Sequence, residues 1–426
     1  MNWLKLVALI LGILVASEIN RWSILDNLFF VLTGLLIVSF VWSRVSLRGL
    51  EVTRETKSNR AQVGQTLEER VRVLNKSRFP KLWVEAIDHS NLPGHQISRV
   101  VNLNPNDANR WKVETWCSRR GRFQIGPLTL RSGDPFGLFP IEEPVPDVRE
   151  LVVYPAVVDL SGFRLPVGDL PGGSSTQRRT QFVTPNASGV RQYMPGDSFN
   201  RISWKTTART GQLMVKEFEL DPTSDIWIVV DMDAHHHARA NVPQTMQARA
   251  MINSPSGALP IEFWLDSTEE YSVTLAASLA NHFLEQTRNV GMIFNDAHRN
   301  VIPADRGPRQ MTKILEQLAV MQADGQTALA ERLLTESTRF DRNSTVVVIS
   351  PSTDETWVQS VIQLVTRGVR CVAVTIEPST FDGSDSSLMV VSDLAAVGVT
   401  TYLVKHGDDI NAALSAQGHS YQAQRV

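Results

Sequence analysis

The residue types able to do acid–base chemistry gather in one place. Asp231-Met232-Asp233-Ala234-His235-His236-His237 follows directly on the apolar run Ile226-Trp227-Ile228-Val229-Val230. Carboxylates at 231 and 233 and an imidazole at 235 alternate along the chain, a donor set suited to a borderline divalent metal such as Zn²⁺ or Mn²⁺. An ion held there could activate water, so one reading is a metal-dependent hydrolase using Asp231, Asp233 and His235. The competing reading is a loop whose three consecutive histidines are simply exposed. Elsewhere, serine, histidine and aspartate are present, but no nucleophile-elbow motif places them. Cys117 and Cys371 stand far apart with no CxxC partner, so they build neither a zinc site nor a disulfide framework. Both read as small buried hydrophobes. Pro171-Gly172-Gly173-Ser174-Ser175-Thr176, followed by Gln177-Arg178-Arg179, lacks the GxxxxGK[ST] order of a phosphate-binding loop. Its backbone could cradle an anion, but its composition is that of a linker.

A second segment is dense in polar and aromatic residues. It runs from Val190-Arg191-Gln192-Tyr193 through Met194-Pro195-Gly196-Asp197 to Asn200-Arg201-Ile202-Ser203-Trp204-Lys205, and on to Ala208-Arg209. Pro195-Gly196-Asp197 signals a turn, and Asp197 is placed to cap a short helix over Phe199 to Thr207. On that helix Arg201 and Lys205 share a face, with Ile202 turned inward and Trp204 near the same edge. Leu213-Met214-Val215 then reads as a strand. The segment could either knit a linker onto the following domain or present a binding face.

These residues need a frame. From Ser224 onward, apolar runs alternate with helical patterns: strands at Val290 to Phe294, Thr345 to Ile349, Val372 to Ile376 and Val399 to Val404, and helices at Thr274 to Gln286, Met311 to Met321, Leu329 to Leu334 and Thr356 to Val365. Such alternation predicts a mostly parallel sheet with helices on both faces, and ligands at the carboxyl ends of its strands, where Asp231 falls. Residues 238–266 lack periodicity and carry three prolines. They read as a long loop in which Ile261 to Leu265 docks on a partner or, preferably, folds back. Residues 46–160 alternate in steps of two, as in Arg70 to Leu74 and Lys112 to Trp116, which predicts a small β-sandwich. In such strands aromatic residues face the core and arginines face water, a better account of the basic–aromatic interleaving than nucleic acid. Asp134-Pro135-Phe136-Gly137-Leu138-Phe139 reads as a rigid corner with three apolar anchors.

Two apolar runs open the chain, Leu6 to Ala16 and Leu28 to Trp42, and predict a helical hairpin that anchors the protein in a membrane. A signal peptide is the competing reading of the first run. Arg44, Arg48, Arg54, Lys57 and Arg60 follow the second run, whereas the intervening turn holds only Arg21, so both termini and the large carboxyl-terminal part are expected in the cytoplasm. The domains are therefore drawn as residues 1–45, 46–160, 161–222 and 223–426. Lys plus Arg total 42 against 44 for Asp plus Glu, so no field of one sign draws the whole chain to nucleic acid.

The second segment resembles the DUF58 family, whose hallmark run is matched here by Arg191, Tyr193, Pro195, Gly196, Asp197, Arg201, Ile202, Trp204, Lys205, Ala208 and Arg209. It departs where an acidic–aromatic pair is often seen, since Asn186-Ala187-Ser188-Gly189 stands there. The amino-terminal hairpin, the Arg-Gly-Arg-Phe and Asp-Pro-Phe-Gly-Leu-Phe elements and the α/β tail also resemble the family's architecture. The resemblance implies a membrane-anchored, non-enzymatic adaptor that works with a MoxR-type AAA+ ATPase in the assembly or maturation of client proteins. The tail resembles a von Willebrand factor A (VWA) domain, whose Mg²⁺ site uses Asp-x-Ser-x-Ser. Here the positions read Asp231, Asp233 and His235, and the later loop reads Ser350-Pro351-Ser352, so that site is degenerate. A structural cell-envelope protein whose β domain does the binding is the third reading.

Overall fold

The structure is a computed structural model and describes residues 2–20, 22–163, 187–193, 202–218, 225–240, 265–342, 344–383 and 385–415. It divides into two compact units, one made chiefly of Met1–Ala156 and the other chiefly of the residues after it.

In the first unit, helices α1 (Asn2–Asn20) and α2 (Ser23–Ser46) are long and apolar enough to cross a membrane. Each extends by about a turn at either end beyond the apolar run read from the sequence. Ser17 of α1 donates to the Asp26 carboxylate of α2 across the turn. Ten strands follow: β1 (Leu50–Thr56), β2 (Arg60–Gln62), β3 (Thr66–Asn75), β4 (Lys81–Asp88), β5 (Arg99–Leu103), β6 (Ala108–Trp116), β7 (Gly121–Ile125), β8 (Leu128–Ser132), β9 (Ile141–Val145) and β10 (Arg149–Tyr154). They form sheets ordered β1-β3-β6, β5-β4-β8-β9 and β2-β10-β7. The first two share a core of Val71, Val73, Val84, Ala86, Val101, Trp111 and Leu130. The third has its own core around Leu67, Cys117, Ile125 and Val153. Burying one such Val or Leu side chain contributes roughly 1.5–3 kcal/mol.

The alternation in β3 points Leu67, Glu69, Val71, Val73 and Asn75 inward. Glu69 is therefore buried, and Arg54 of β1 is buried against it, so this arginine does not face water as its strand pattern suggested. The 134–139 corner is rigid, since the buried Asp134 carboxylate accepts the backbone N–H of Phe136 at 3.0 Å and of Phe139 at 2.6 Å. Only Phe139 is a clear anchor: it stacks on Trp3 and meets Phe40 edge-on, whereas Phe136 is 60% exposed.

The second unit carries a hairpin of β11 (Ala187–Gln192) and β12 (Met214–Phe218), with helix α3 (Trp204–Thr210) between them in sequence. Its main body is a six-stranded sheet of β13 (Ile226–Asp231), β14 (Val290–Asn295), β15 (Val301–Asp305), β16 (Thr345–Ser350), β17 (Arg370–Ile376) and β18 (Thr400–Val404), ordered β15-β14-β13-β16-β17-β18. All neighbours are parallel except β14 and β15. The edge strand β15 was not read from the sequence, because Val301-Ile302-Pro303-Ala304-Asp305 is short and interrupted by proline. Helices α4 (Thr268–Glu285), α5 (Pro308–Val320, of which Pro308–Ile314 belong to this unit), α6 (Leu329–Glu336), α7 (Thr356–Thr366), α8 (Leu388–Ala396) and α9 (Ile410–Ser415) follow. Trp227, Val229, Val346 and Val348 meet Leu333, Trp357, Val361 and Leu394 of α6, α7 and α8 on one face. Their alternates Ile228, Val230, Val347 and Ile349 are buried on the other.

Candidate functional site

The carboxyl ends of β13 and β16 are adjacent, and this is where the order of strands reverses, the crevice in which doubly wound sheets bind ligands. Asp231 ends β13 and Ser350 ends β16. Asp231 is fully buried, and its carboxylate is met by three donors. The Ser350 hydroxyl donates to Oδ2 at 2.6 Å, and Oδ1 accepts the Asn295 side-chain amide at 3.2 Å and the Asp233 backbone N–H at 3.2 Å. Asn295 ends β14, so three neighbouring strands each give one polar terminal residue to this point. Its amide also donates to the Thr327 carbonyl at 2.7 Å. Sequence reading missed Asn295, although an asparagine at the end of an apolar strand beside Asp296 was the available signal.

Asp233 turns the other way. Its Oδ1 lies 2.8 Å from His235 Nδ1 and accepts the His235 backbone N–H at 3.1 Å, while the His235 ring is largely exposed. His237 is the inward histidine: Nδ1 lies 3.0 Å from Thr268 Oγ1, and Nε2 lies 3.1 Å from the Asp231 carbonyl oxygen. Burial pushes its pKa down, so it favours the neutral ring. Ser352 follows the same inward course as Ser350, taking its own N–H to the Ser350 hydroxyl at 2.9 Å.

The fit of a divalent ion can be judged from these contacts. Asp231 takes three donors on its two oxygens, one of them the Ser350 hydroxyl. Among the described residues, no three His, Cys, Asp or Glu side chains are grouped to hold a metal. Asp231, Asp233 and His235 therefore do not form a ligand set in this arrangement. No histidine is hydrogen-bonded to Ser350 among the described residues, and its hydroxyl donates to the Asp231 carboxylate. Burial raises Cys117 and pushes Cys371 up to about 12, which leaves both as inert thiols.

The second candidate segment is described in part. Pro195, Gly196, Asp197 and Arg201 lie outside the described residues, and Arg191 is placed by its backbone in β11. Ile202 is buried and bridges to Val215, while Tyr193 is half-buried with its N–H on the Leu213 carbonyl. The helix begins at Trp204, later than the Phe199 start read from the sequence. It is closed by Gly211 at φ 72, a left-handed cap that glycine adopts without steric cost. Trp204 is 67% exposed, and Lys205, Ala208 and Arg209 are exposed with it. Of the 238–266 loop, residues 241–264 lie outside the described set. Leu265 is buried, and Arg239 pairs with Asp266 at 2.6 Å, so the described ends fold back on the unit.

Residues 189–253 match the model of a family described as "Protein of unknown function DUF58". The Uncharacterized protein YeaD of Bacillus subtilis is 23% identical over 304 residues, which is 70% of this chain and 69% of that protein. The Uncharacterized protein Rv1480 of Mycobacterium tuberculosis is 27% identical over 134 residues, 31% of this chain and 34% of that one. Among solved structures, the CARDB domain of PF1109 from Pyrococcus furiosus aligns with 25% of this chain and 94% of that one at 16% identity, with a TM-score of 0.20. The C-terminal domain of wzt aligns with 26% of this chain and 75% of that one at 10% identity, also at 0.20. At those scores neither bears on function.

Proposed function

We propose that this protein is a membrane-anchored, non-enzymatic adaptor whose carboxyl-terminal unit is VWA-like and which engages a MoxR-type AAA+ ATPase in the assembly or maturation of client proteins. The observation that carries the reading is the exposure of Trp204. A tryptophan that braced a linker would be buried, whereas this one stands in solvent beside Lys205 and Arg209, within the stretch that matches the DUF58 model. Exposed tryptophan flanked by cations is the composition of an interface anchor. The buried Ile202, bridged to Val215, does the bracing instead. The doubly wound sheet with Asp231 at the end of its first strand supports the VWA-like reading. The exposed Arg44 in the last turn of α2 and Arg48 just after it support a cytoplasmic placement of both termini, and the buried Arg54 drops out of that count.

The test is affinity capture of the full chain, extracted in detergent, with and without ATP, beside the Trp204→Ala variant. The expected result is nucleotide-dependent recovery of an AAA+ ATPase that Trp204→Ala abolishes while the protein stays folded. No ATPase in either nucleotide state, or recovery indifferent to Trp204→Ala, sinks the reading.

A further inference from the structure

The strand that follows the first hairpin of the β unit breaks its own alternation. Between Lys81 and Val84 the pairing of β4 with β5 slips, and Trp83 adopts φ 51. A bulky residue in the left-handed region is a strained exception, and such strain persists where surrounding structure imposes it. Here the Trp83 N–H is held by the Asn102 side-chain oxygen at 2.7 Å. In regular alternation one of Leu82 and Trp83 would turn to the core. The bulge instead leaves both outside, 47% and 59% exposed.

This rim lies at the end of the apolar hairpin. Lys81, one residue before the bulge, donates from Nζ to the Val45 carbonyl in the last turn of α2. Successive strand residues advance about 3.3 Å, so Leu82 and Trp83 lie within roughly 7 Å along the strand from that anchor point. Phe79, 62% exposed, and Pro80 share a crevice of about 410 Å³ with Ile37, Val38, Val41 and Val45, one apolar face of α2. On the other side of α2, Phe139 packs on Phe40 and the Ser43 hydroxyl donates to its carbonyl at 2.7 Å, leaving Phe136 exposed beyond it. Arg44 in the last turn of α2, Arg48 just past it and Arg78 next to Phe79 are exposed.

Scattered exposed apolar side chains need no explanation, but a rim of aromatic residues continuous with a spanning helix does. We propose that this rim of the β unit, Phe79, Leu82, Trp83 and Phe136, is seated in the interfacial layer of the phospholipid bilayer, with Arg44, Arg48 and Arg78 at the phosphates. The occupant follows from continuity: the crevice beside Phe79 is walled by the surface that α2 turns to lipid. Tryptophan and arginine are also the residues that the headgroup layer favours. The inference rests on the reading of α1 and α2 as a membrane anchor.

The test uses the full chain with Cys371→Ala, in which Cys117 is buried, reconstituted in phosphatidylcholine–phosphatidylglycerol nanodiscs. Single cysteines are introduced as Phe79→Cys, Trp83→Cys, Phe136→Cys, Val38→Cys and Glu114→Cys, then labelled with an environment-sensitive fluorophore. Glu114 is exposed near the far end of β6 and serves as the aqueous reference. Doxyl-labelled lipid is expected to quench positions 79, 83 and 136 in step with position 38 and to leave 114 bright. Quenching at 38 with none at 79 and 83 overturns the proposal while the anchor stands. Blue-shifted but unquenched emission at 79 and 83 means that protein, such as a second copy, covers the rim, and also overturns it. No quenching at 38 removes the anchor and the proposal together.

Discussion

Arg54 holds a buried cluster of charged side chains in the β unit. Its guanidinium meets both oxygens of Glu69, lies 3.3 Å from Asp88, and has His95 beside it, whose Nε2 is 3.0 Å from Glu69 and whose Nδ1 is 2.7 Å from Thr115 Oγ1. None of these charged side chains is more than 3% exposed. Removing one partner from a buried pair leaves the other uncompensated, at a cost of about 3–5 kcal/mol, and Arg54→Met is expected to lower stability by that amount at neutral pH. The pH dependence follows from Glu69. Burial alone would raise its pKa, but hydrogen bonds and positive charge from His95 and Arg54 outweigh burial and hold it below the ordinary 4.5. A carboxylate depressed in the fold stabilises it fully above that ordinary value and loses the contribution as pH falls through the folded value. The difference between wild type and Arg54→Met, followed by thermal unfolding of the detergent-solubilised chain, should therefore be whole at neutral pH and narrow below 4.5. A difference that widens in acid would contradict this account. At the switch point the same reasoning applies to one hydrogen bond. Ser350→Ala strips a donor from the buried Asp231 carboxylate and is expected to cost about 1–3 kcal/mol, read as a lowered unfolding midpoint.

At the scale of elements, the crevice is closed by a loop rather than by a side chain. Gly325 takes its N–H to the Met232 carbonyl at 2.9 Å, and its own carbonyl accepts the Ala234 N–H at 3.0 Å. A Cβ on Gly325 would stand 2.1 Å from the Asn295 carbonyl oxygen and 2.8 Å from that of Met232. Both are backbone atoms of the strand ends that place Asn295 and Asp231, so they cannot swing aside. Gly325→Ala should push the loop out, at about 1–3 kcal/mol. Hydrogen exchange would report this as faster exchange at the Ala234 and Gly325-position amides, and unchanged protection there would refute it. None of this closure could be read from the sequence, because it depends on a loop nearly a hundred positions from β13. What could be read was local. The continuous apolar runs gave β13, β14, β16 and β17 almost to the residue, since a strand buried on both faces has no alternation to obscure it. The alternating stretches gave β3 and β6. The charged cluster stayed hidden because Glu69 occupies an inward position in a row that otherwise reads as ordinary β-sandwich, and only the diagonal register of β1 against β3 brings Arg54 to it. At the candidate site Asp231 was found by its place at a strand end and Ser350 by the later loop of the VWA-like pattern, whereas Asn295 was missed because it comes from a strand far from both in sequence. The helix of the DUF58-like segment was placed too early because Asp197 was read as its cap, while Ile202 instead forms a bridge to Val215 and the helix starts at Trp204.

For the whole molecule, the two units have separate cores, and substitutions in each should report on that unit alone. Lys81 gives the clearest handle on the first. Its side chain is almost wholly buried, and burial lowers its pKa from the ordinary 10.5. A lysine depressed in the fold costs stability at every pH below its folded value, and the cost disappears as pH rises to the unfolded value. Its one hydrogen bond to the Val45 carbonyl offsets part of that cost, and replacing a desolvated charge by an apolar group of similar shape is often neutral or stabilising. Lys81→Met should thus leave the full chain at least as stable at neutral pH, with any advantage fading toward pH 10.5. Separate cores predict two unfolding transitions in calorimetry, since cooperativity belongs to each packed core rather than to the chain. Arg54→Met should lower one transition and Lys81→Met should hold or raise that same one. Ser350→Ala and Gly325→Ala should lower only the other. Combining one variant from each set should give additive shifts if each core unfolds on its own, because sites without shared partners do not couple. A single transition moved by both sets would mean that the units stabilise each other, and the assignment of each variant to its own core would then fail.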